Sequence, residues 1–278
     1  MLFEIDHVTL YHYSSPVLLG DHVLRVLPFT RPQQRIMAFD LQLVPDPVSV
    51  ALESDDWGNP LHRVQFAGET ERLEIRARLA VETLPAPIDV TTTDFAFPPA
   101  PVAHVEVADA YLERLEQAAL LEQFVSPLVS IAGGSGMAFL HALNDAVHTF
   151  HHRGVRVDGP PQRPSETLAR RDGVCRDLSV LFMAACRQFG LPARFVSGYQ
   201  QGDGMRSERY LHAWPEVFIA GSGWVGFDPT HATLVGTQHV AVAAAPTAAA
   251  VTPVEGSYSF RTPTLQSTLS TEIHIATQ

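Results

Sequence analysis

A chain of 278 residues exceeds what one small hydrophobic core needs and leaves room for two domains. With 46% hydrophobic and 18% charged residues it reads as globular, and 30 acidic against 19 basic side chains give a formal charge of −11 that repels phosphate backbones, so no nucleic-acid partner is expected. No stretch approaches roughly 20 uninterrupted apolar residues, and Met1-Leu2-Phe3-Glu4-Ile5-Asp6 is acidic where a secretory leader is basic; the expectation is a cytoplasmic protein without a membrane partner.

In chain order, Phe3 to Leu10, Phe39 to Val44 and Leu73 to Val81 alternate apolar and polar residues, separated by turn signals such as Asp56-Trp57-Gly58-Asn59-Pro60. These features predict an antiparallel β-sandwich over residues 1–85. Prolines 85, 87, 98, 99 and 101 deny the backbone donors and dihedrals of regular structure, which predicts a linker over 86–105.

The remainder, 106–278, reads as helices giving way to an antiparallel sheet, so the fold class is α+β. Asp109 is an N-cap candidate for a helix carrying Leu112, Leu115 and Ala119, and Phe139, Leu143, Ala146, Val147 and Phe150 predict the next. Ser165 is the candidate cap of a short helix ending near Gly173. A further helix opens at Cys175, buries Leu178, Leu181, Phe182, Ala185 and Phe189, and ends at Gly190 before Pro192. Short β-rich runs follow at 193–199, 213–219 and 224–227. The alanine- and valine-rich stretch 240–253 reads as a loop, and 271–275 as a returning edge strand in a C-terminal extension.

Cys175 and Cys186 are too few for a disulfide framework, and eleven residues apart on one helix they stand about 16 Å from each other, beyond bridging distance. Both therefore read as free thiols. Cys175 lies in Asp172-Gly173-Val174-Cys175-Arg176-Asp177-Leu178-Ser179, at the first turn of its helix, where unpaired N–H groups and the positive end of the dipole favour a thiolate. His212-Ala213-Trp214 and Asp228-Pro229-Thr230 follow in the chain, supplying an imidazole and a carboxylate at element boundaries. Thiol, imidazole and carboxylate are the parts of a cysteine nucleophile with its base and orienter. Taken singly, each has a plain reading as a buried hydrophobe, a half-buried strand histidine and a turn former; their joint occurrence in this order favours the site.

The 16-residue separation of His212 and Asp228 makes them direct cross-strand partners if the hairpin is symmetric about Ala220. A turn at Gly221-Ser222-Gly223 displaces Asp228 from that position and calls for a bulge, marked by Pro215, to restore alignment. Asp177 reads as a dipole-complementary or packing carboxylate. His148, His151 and His152 read as a solvated helix end rather than a metal site, Glu53, Asp55 and Asp56 lack calcium-loop spacing, and no glycine-rich phosphate motif is present. No cofactor or metal is expected.

Four ordered blocks resemble the catalytic core of the transglutaminase-like superfamily: Gly173-Val174-Cys175-x-Asp177, Gly190-Leu191-Pro192-Ala193-Arg194-Phe195-Val196-Ser197-Gly198-Tyr199, His212-Ala213-Trp214, and Gly223-Trp224-Val225-Gly226-Phe227-Asp228-Pro229-Thr230. The opening Tyr11-His12-Tyr13, Pro16-Val17 and Leu27-Pro28 is similar to bacterial members with an N-terminal β-domain, which are described as cysteine proteases. The resemblance implies a papain-like core, with Cys175 as nucleophile, His212 as general base and acid, and Asp228 as the residue orienting the imidazole. Departures are Arg176 and Leu178 in place of glutamine and an aromatic, Leu211 in place of serine, Pro215 in place of valine and His231 in place of asparagine. The implied activity is acyl transfer on a peptide or protein substrate through a thioester, with hydrolysis ranked above transfer to an amine. A non-catalytic peptide-binding or scaffolding protein is the alternative from another class; it ranks lower because all three triad groups are present.

Overall fold

The computed structural model describes residues 1–85, 93–99, 109–116, 119–152, 156, 159–202, 209–261 and 264–278. Strands β1 (Leu2–Leu24), β2 (Gln34–Val44), β3 (Ser49–Ser54), β4 (Pro60–Gln65) and β5 (Glu69–Thr83) come first. Helices α1 (Ala119–Ala132), α2 (Gly136–His148), α3 (Pro164–Arg170) and α4 (Cys175–Gln188) follow. The chain then forms β6 (Ala193–Gln200), β7 (His212–Ile219), β8 (Gly223–Asp228), β9 (Thr233–Leu234), β10 (His239–Ala245), β11 (Val254–Ser259) and β12 (Ser267–Thr277). No described helix is long and apolar enough to cross a membrane.

The N-terminal strands form one continuous antiparallel sheet in the order β2-β5-β1-β4-β3, and the C-terminal strands β11 and β12 also pair with β1. The long strand β1 changes partners along its length: β5 and β12 flank its first half, β11 and β4 its last residues, with a register shift between His12 and Val17. The extension that sequence reading attached to the catalytic core thus completes the first sheet.

A second sheet, β10-β6-β7-β8-β9, sits between the first sheet and the helices. Ala193, Phe195, Ala213, Val217, Phe227 and Ala243 pack on the helix side, against the buried stripe Leu178, Leu181, Phe182 and Ala185 of α4. Tyr199, Val240 and Val242 pack on the other side, against Phe3, Ile5, Leu79 and Val81 of the first sheet. Polar ties cross that seam as well, among them Tyr199 Oη, which meets His7 Nδ1 at 2.8 Å.

Several sequence expectations change. The alanine-rich stretch expected as a loop contains β10, buried along its whole length. A strand covered on both faces has no polar side to display, so alternation, the usual strand signal, is missing. Its outer edge is closed by side-chain amides that mimic a neighbouring strand: Gln34 exchanges bonds of 3.0 and 2.8 Å with Ala241, and Asn59 bonds of 2.8 and 3.0 Å with Ala244.

The helix expected from Asp109 is a single 3₁₀ turn, Asp109–Tyr111, because Tyr111 turns inward against Trp57 and Trp224 at 5.6 and 5.0 Å between ring centroids. Ser165 does not cap α3: Pro164 takes the first helical position, and Ser165 donates its N–H and hydroxyl to Glu116 at 2.8 and 2.6 Å. Within the expected linker, 86–92 and 100–105 lie outside the described residues. Between them Phe97 is buried, stacked on Phe139 at 4.1 Å between centroids.

Candidate active site

Cys175 is the first residue of α4, after Val174 in an extended conformation. The bend is held by Asp177, whose buried carboxylate accepts the N–H groups of Val174 at 2.9 Å and Gln162 at 2.8 Å and pairs with Arg156. Asp177 therefore works as the cap of the helix that presents the thiol. At the far end Gly190 adopts φ +77°, and Leu191 and Gly190 return N–H bonds to Cys186 and Arg187, closing the helix with a Schellman motif.

The tail of α2 braces the same bend from behind: Gly173 donates to Phe150 O at 2.8 Å and His152 donates to Gly173 O at 2.7 Å. His148 reaches the loop after β8, with Nδ1 2.9 Å from Pro229 O, so it is tied down rather than solvated, whereas His152 at the same helix end is exposed as expected.

The β7–β8 hairpin turns late: Ile219 pairs with Gly223 and Glu216 with Gly226, so the register centres on Gly221. Extended along the strands, this register sets Asp228 two residues away from direct opposition to His212. A shift of two leaves both side chains on one face, whereas a shift of one would have separated them. No bulge at Pro215 is required, and Phe195 pairs with Pro215 in an unbroken β6–β7 ladder. The outcome is His212 Nε2 at 2.8 Å from Asp228 Oδ2.

The three predicted residues are contiguous. The Cys175 thiol faces the His212 ring and the backbone N–H of Ala213, close enough for both to lower its pKa. With Nε2 on Asp228, Nδ1 is the ring nitrogen left for sulfur. Burial by itself would raise the Cys175 thiol, but hydrogen bonding to His212, the charge of that ring and the Ala213 N–H bring it below its ordinary value. Burial works against the His212 cation too, yet the Asp228 carboxylate, with help from Cys175, pushes His212 up to about 10. Both shifts run in the direction of thiolate and imidazolium. Cys186, about three turns further along α4 and wholly buried, has its thiol pushed up instead.

Asp228 is completely buried, which would raise its pKa, but His212, His231 and His239 hold it well below the usual carboxylate range. Sequence reasoning missed the last two in this role. His231 Nδ1 and His239 Nε2 lie 2.9 and 3.0 Å from the same Oδ2 that meets His212, while Oδ1 accepts the N–H groups of Thr230 and His231 at 3.0 and 3.3 Å. His231 had registered only as a departure from the family pattern, and nothing in the local sequence flagged His239. The ligand atoms of His212, Asp228 and His231 lie within 4.8 Å of one another, close enough to meet on a metal ion. Here Oδ2 itself occupies the centre, with imidazole nitrogens around it at hydrogen-bond rather than coordination distance.

Comparison with known proteins agrees with this architecture. An uncharacterized protein of Mycobacterium leprae is 26% identical over 274 residues, 93% of each chain. A protein-glutamine gamma-glutamyltransferase of Pseudomonas aeruginosa is 35% identical over 68 residues, 22% of this chain and 10% of its own. A structure from Cytophaga hutchinsonii, described provisionally as a cysteine protease, superposes with a TM-score of 0.71 at 19% identity, covering 99% of this chain and 90% of the other. Residues 3–82 match the bacterial transglutaminase-like N-terminal region and residues 135–229, which contain Cys175, His212 and Asp228, match the transglutaminase-like superfamily core. The chain belongs to the transglutaminase-like superfamily, in the two-part bacterial form that sets an N-terminal β-domain before the core.

Proposed function

We propose that this protein is a cysteine hydrolase that cleaves peptide or amide bonds through a thioester on Cys175. The observation that carries the reading is the unbroken line from sulfur through the His212 ring to the buried Asp228 carboxylate, with sulfur on the first turn of α4.

The Cys175 thiolate attacks the substrate carbonyl and forms a C–S bond while the carbonyl π electrons move to oxygen. The first-turn N–H of Cys175, which has no intrahelical acceptor, is placed to donate to that oxyanion. His212, holding the proton taken from sulfur, gives it to the departing amine as the C–N bond breaks. Water then attacks the thioester, His212 takes its proton, and sulfur leaves as the acid product is released and the pair is restored. Asp228 holds the ring in place and stabilises its cationic form.

Transfer to an amine is the second reading, favoured by the local identity to the Pseudomonas aeruginosa gamma-glutamyltransferase. It uses the same first half-reaction and differs in the nucleophile that resolves the thioester. We rank hydrolysis first because none of the described residues around the site marks a place for an acceptor amine, and because the Cytophaga hutchinsonii relative in fold is described, provisionally, as a cysteine protease.

A panel of peptide amides, assayed with and without a primary amine, tests both readings. Cys175→Ala is expected to lower turnover by on the order of a thousandfold or more. Full turnover in that variant would refute thioester chemistry, and preferential incorporation of the amine would reverse the ranking.

A further inference from the structure

The triad accounts for one of the three imidazoles on Asp228, and the other two are placed differently in the fold. His231 belongs to the same turn as Asp228, and so do the two amides on Oδ1; groups that move with the turn cannot fix the carboxylate relative to the rest of the molecule. His239 comes from the start of β10, eleven residues on, where it pairs with Gln200 of β6. Among the described hydrogen bonds of the Asp228 side chain, His239 is the partner other than His212 that lies outside the turn. Both extra histidines also lie beyond residue 229, where the match to the family core ends.

We propose that His239 is a positioning residue of the reaction: its Nε2–H anchors Asp228 Oδ2 to the sheet in the orientation that meets His212. The proposal rests on the thioester reading above. Its tautomer is set by the other ring nitrogen, since the Gly236 N–H approaches Nδ1 at 3.4 Å and an amide can only donate. Nδ1 is therefore the acceptor and Nε2 carries the hydrogen, aimed at Oδ2 at 3.0 Å. The ring is buried and packs edge-on to Trp214 at 5.3 Å between centroids, so it has little freedom to follow a moving carboxylate. Burial lowers the His239 pKa, with Asp228 opposing, so the ring donates as a neutral group and leaves the carboxylate charge to the His212 cation. The titratable groups around the carboxylate are Cys175 on α4, His212 on β7, His231 after β8 and His239 on β10.

The test needs no substrate. Alkylation of Cys175 by iodoacetamide is followed across pH, with Cys186 as internal control, in the wild type, His239→Gln, His239→Asn and His239→Leu. Gln places an amide N–H near the position of Nε2; Asn stops near Nδ1, and Leu fills the space without a donor. His239→Gln is expected to keep the wild-type profile. In the other two, a freed carboxylate supports the imidazolium less, so the acid limb moves up and the basic limb down by about one pH unit, with roughly tenfold slower alkylation on the acid side. Unfolding midpoints establish that each variant is folded, and either His239→Asn or His239→Leu suffices for the comparison. Unmoved limbs in a folded Asn or Leu variant, or an equal displacement in His239→Gln, would overturn the proposal and leave His239 a packing residue. A wild-type Cys175 no faster than Cys186 would remove the thioester reading itself, and the proposal with it, before any variant is compared.

Discussion

Glu216 shows how a single side chain on β7 can be both wholly buried and ionised. Burial would raise its carboxyl, but Arg31 and Arg194, at 2.7 and 2.5 Å, hold its pKa at about 2. Arg194 in turn lies over the Trp224 ring at 4.2 Å, and Arg31 comes from the segment joining β1 to β2, so the carboxylate ties the N-terminal region to the core. A carboxyl whose folded pKa is depressed contributes stability that is present above its unfolded value, near 4.5, and lost as pH falls toward 2. Glu216→Gln is therefore expected to cost about 3 kcal/mol at pH 7, with the difference from wild type shrinking between pH 4.5 and 2; denaturant unfolding at several pH values checks this. A difference independent of pH would mean that charge is not what matters there. At this scale the juxtaposition of Cys175, His212 and Asp228 was legible, because they sit at element boundaries in recognisable blocks. His239 and Glu216 were not, because their roles depend on partners from other parts of the chain: Asp228 eleven residues away, and Arg31, 185 residues away.

Elements were legible where local chemistry marks their ends. The α4 helix runs from Cys175 to Gln188 and stops at a positive-φ Gly190, as its apolar stripe and terminal glycine predict. The short α3 was placed correctly but capped by the wrong group, since Glu116 arrives from 49 residues earlier. The strand β10 was invisible for a tertiary reason: its environment is apolar on both faces, and its edge is closed by Gln34 and Asn59, neither near it in sequence. The same crowding predicts a strong effect at Gly198, which lies between Ala241 and His212 in the sheet. A Cβ there would stand 2.1 Å from Val240 O and 2.6 Å from the Trp214 ring. Gly198→Ala is expected to lose about 3 kcal/mol or more in chemical denaturation, and to displace His212 from the thiol. Near-wild-type stability would show that β6 and β10 are looser than described.

At the scale of the whole molecule, three layers bring together groups that are remote in the chain. The thiol comes from a helix on one side of the second sheet, the imidazole and carboxylate from a hairpin within it, and the outer anchor of that sheet from the N-terminal strands. The alternating N-terminal strands announced their sheet, but the closure of that sheet by β12 was legible only as a returning edge strand, since its partner β1 lies at the other end of the sequence. The central claim is that this arrangement makes Cys175 a thiolate at neutral pH, and the internal comparison with Cys186 tests it most directly. Native protein exposed to iodoacetamide at pH 6 to 7 and analysed by peptide mass should be modified at Cys175 at least about a hundredfold faster than at Cys186, with the advantage lost in His212→Ala. Equal, slow modification of the two thiols, or a fast Cys175 that persists without His212, would contradict the account.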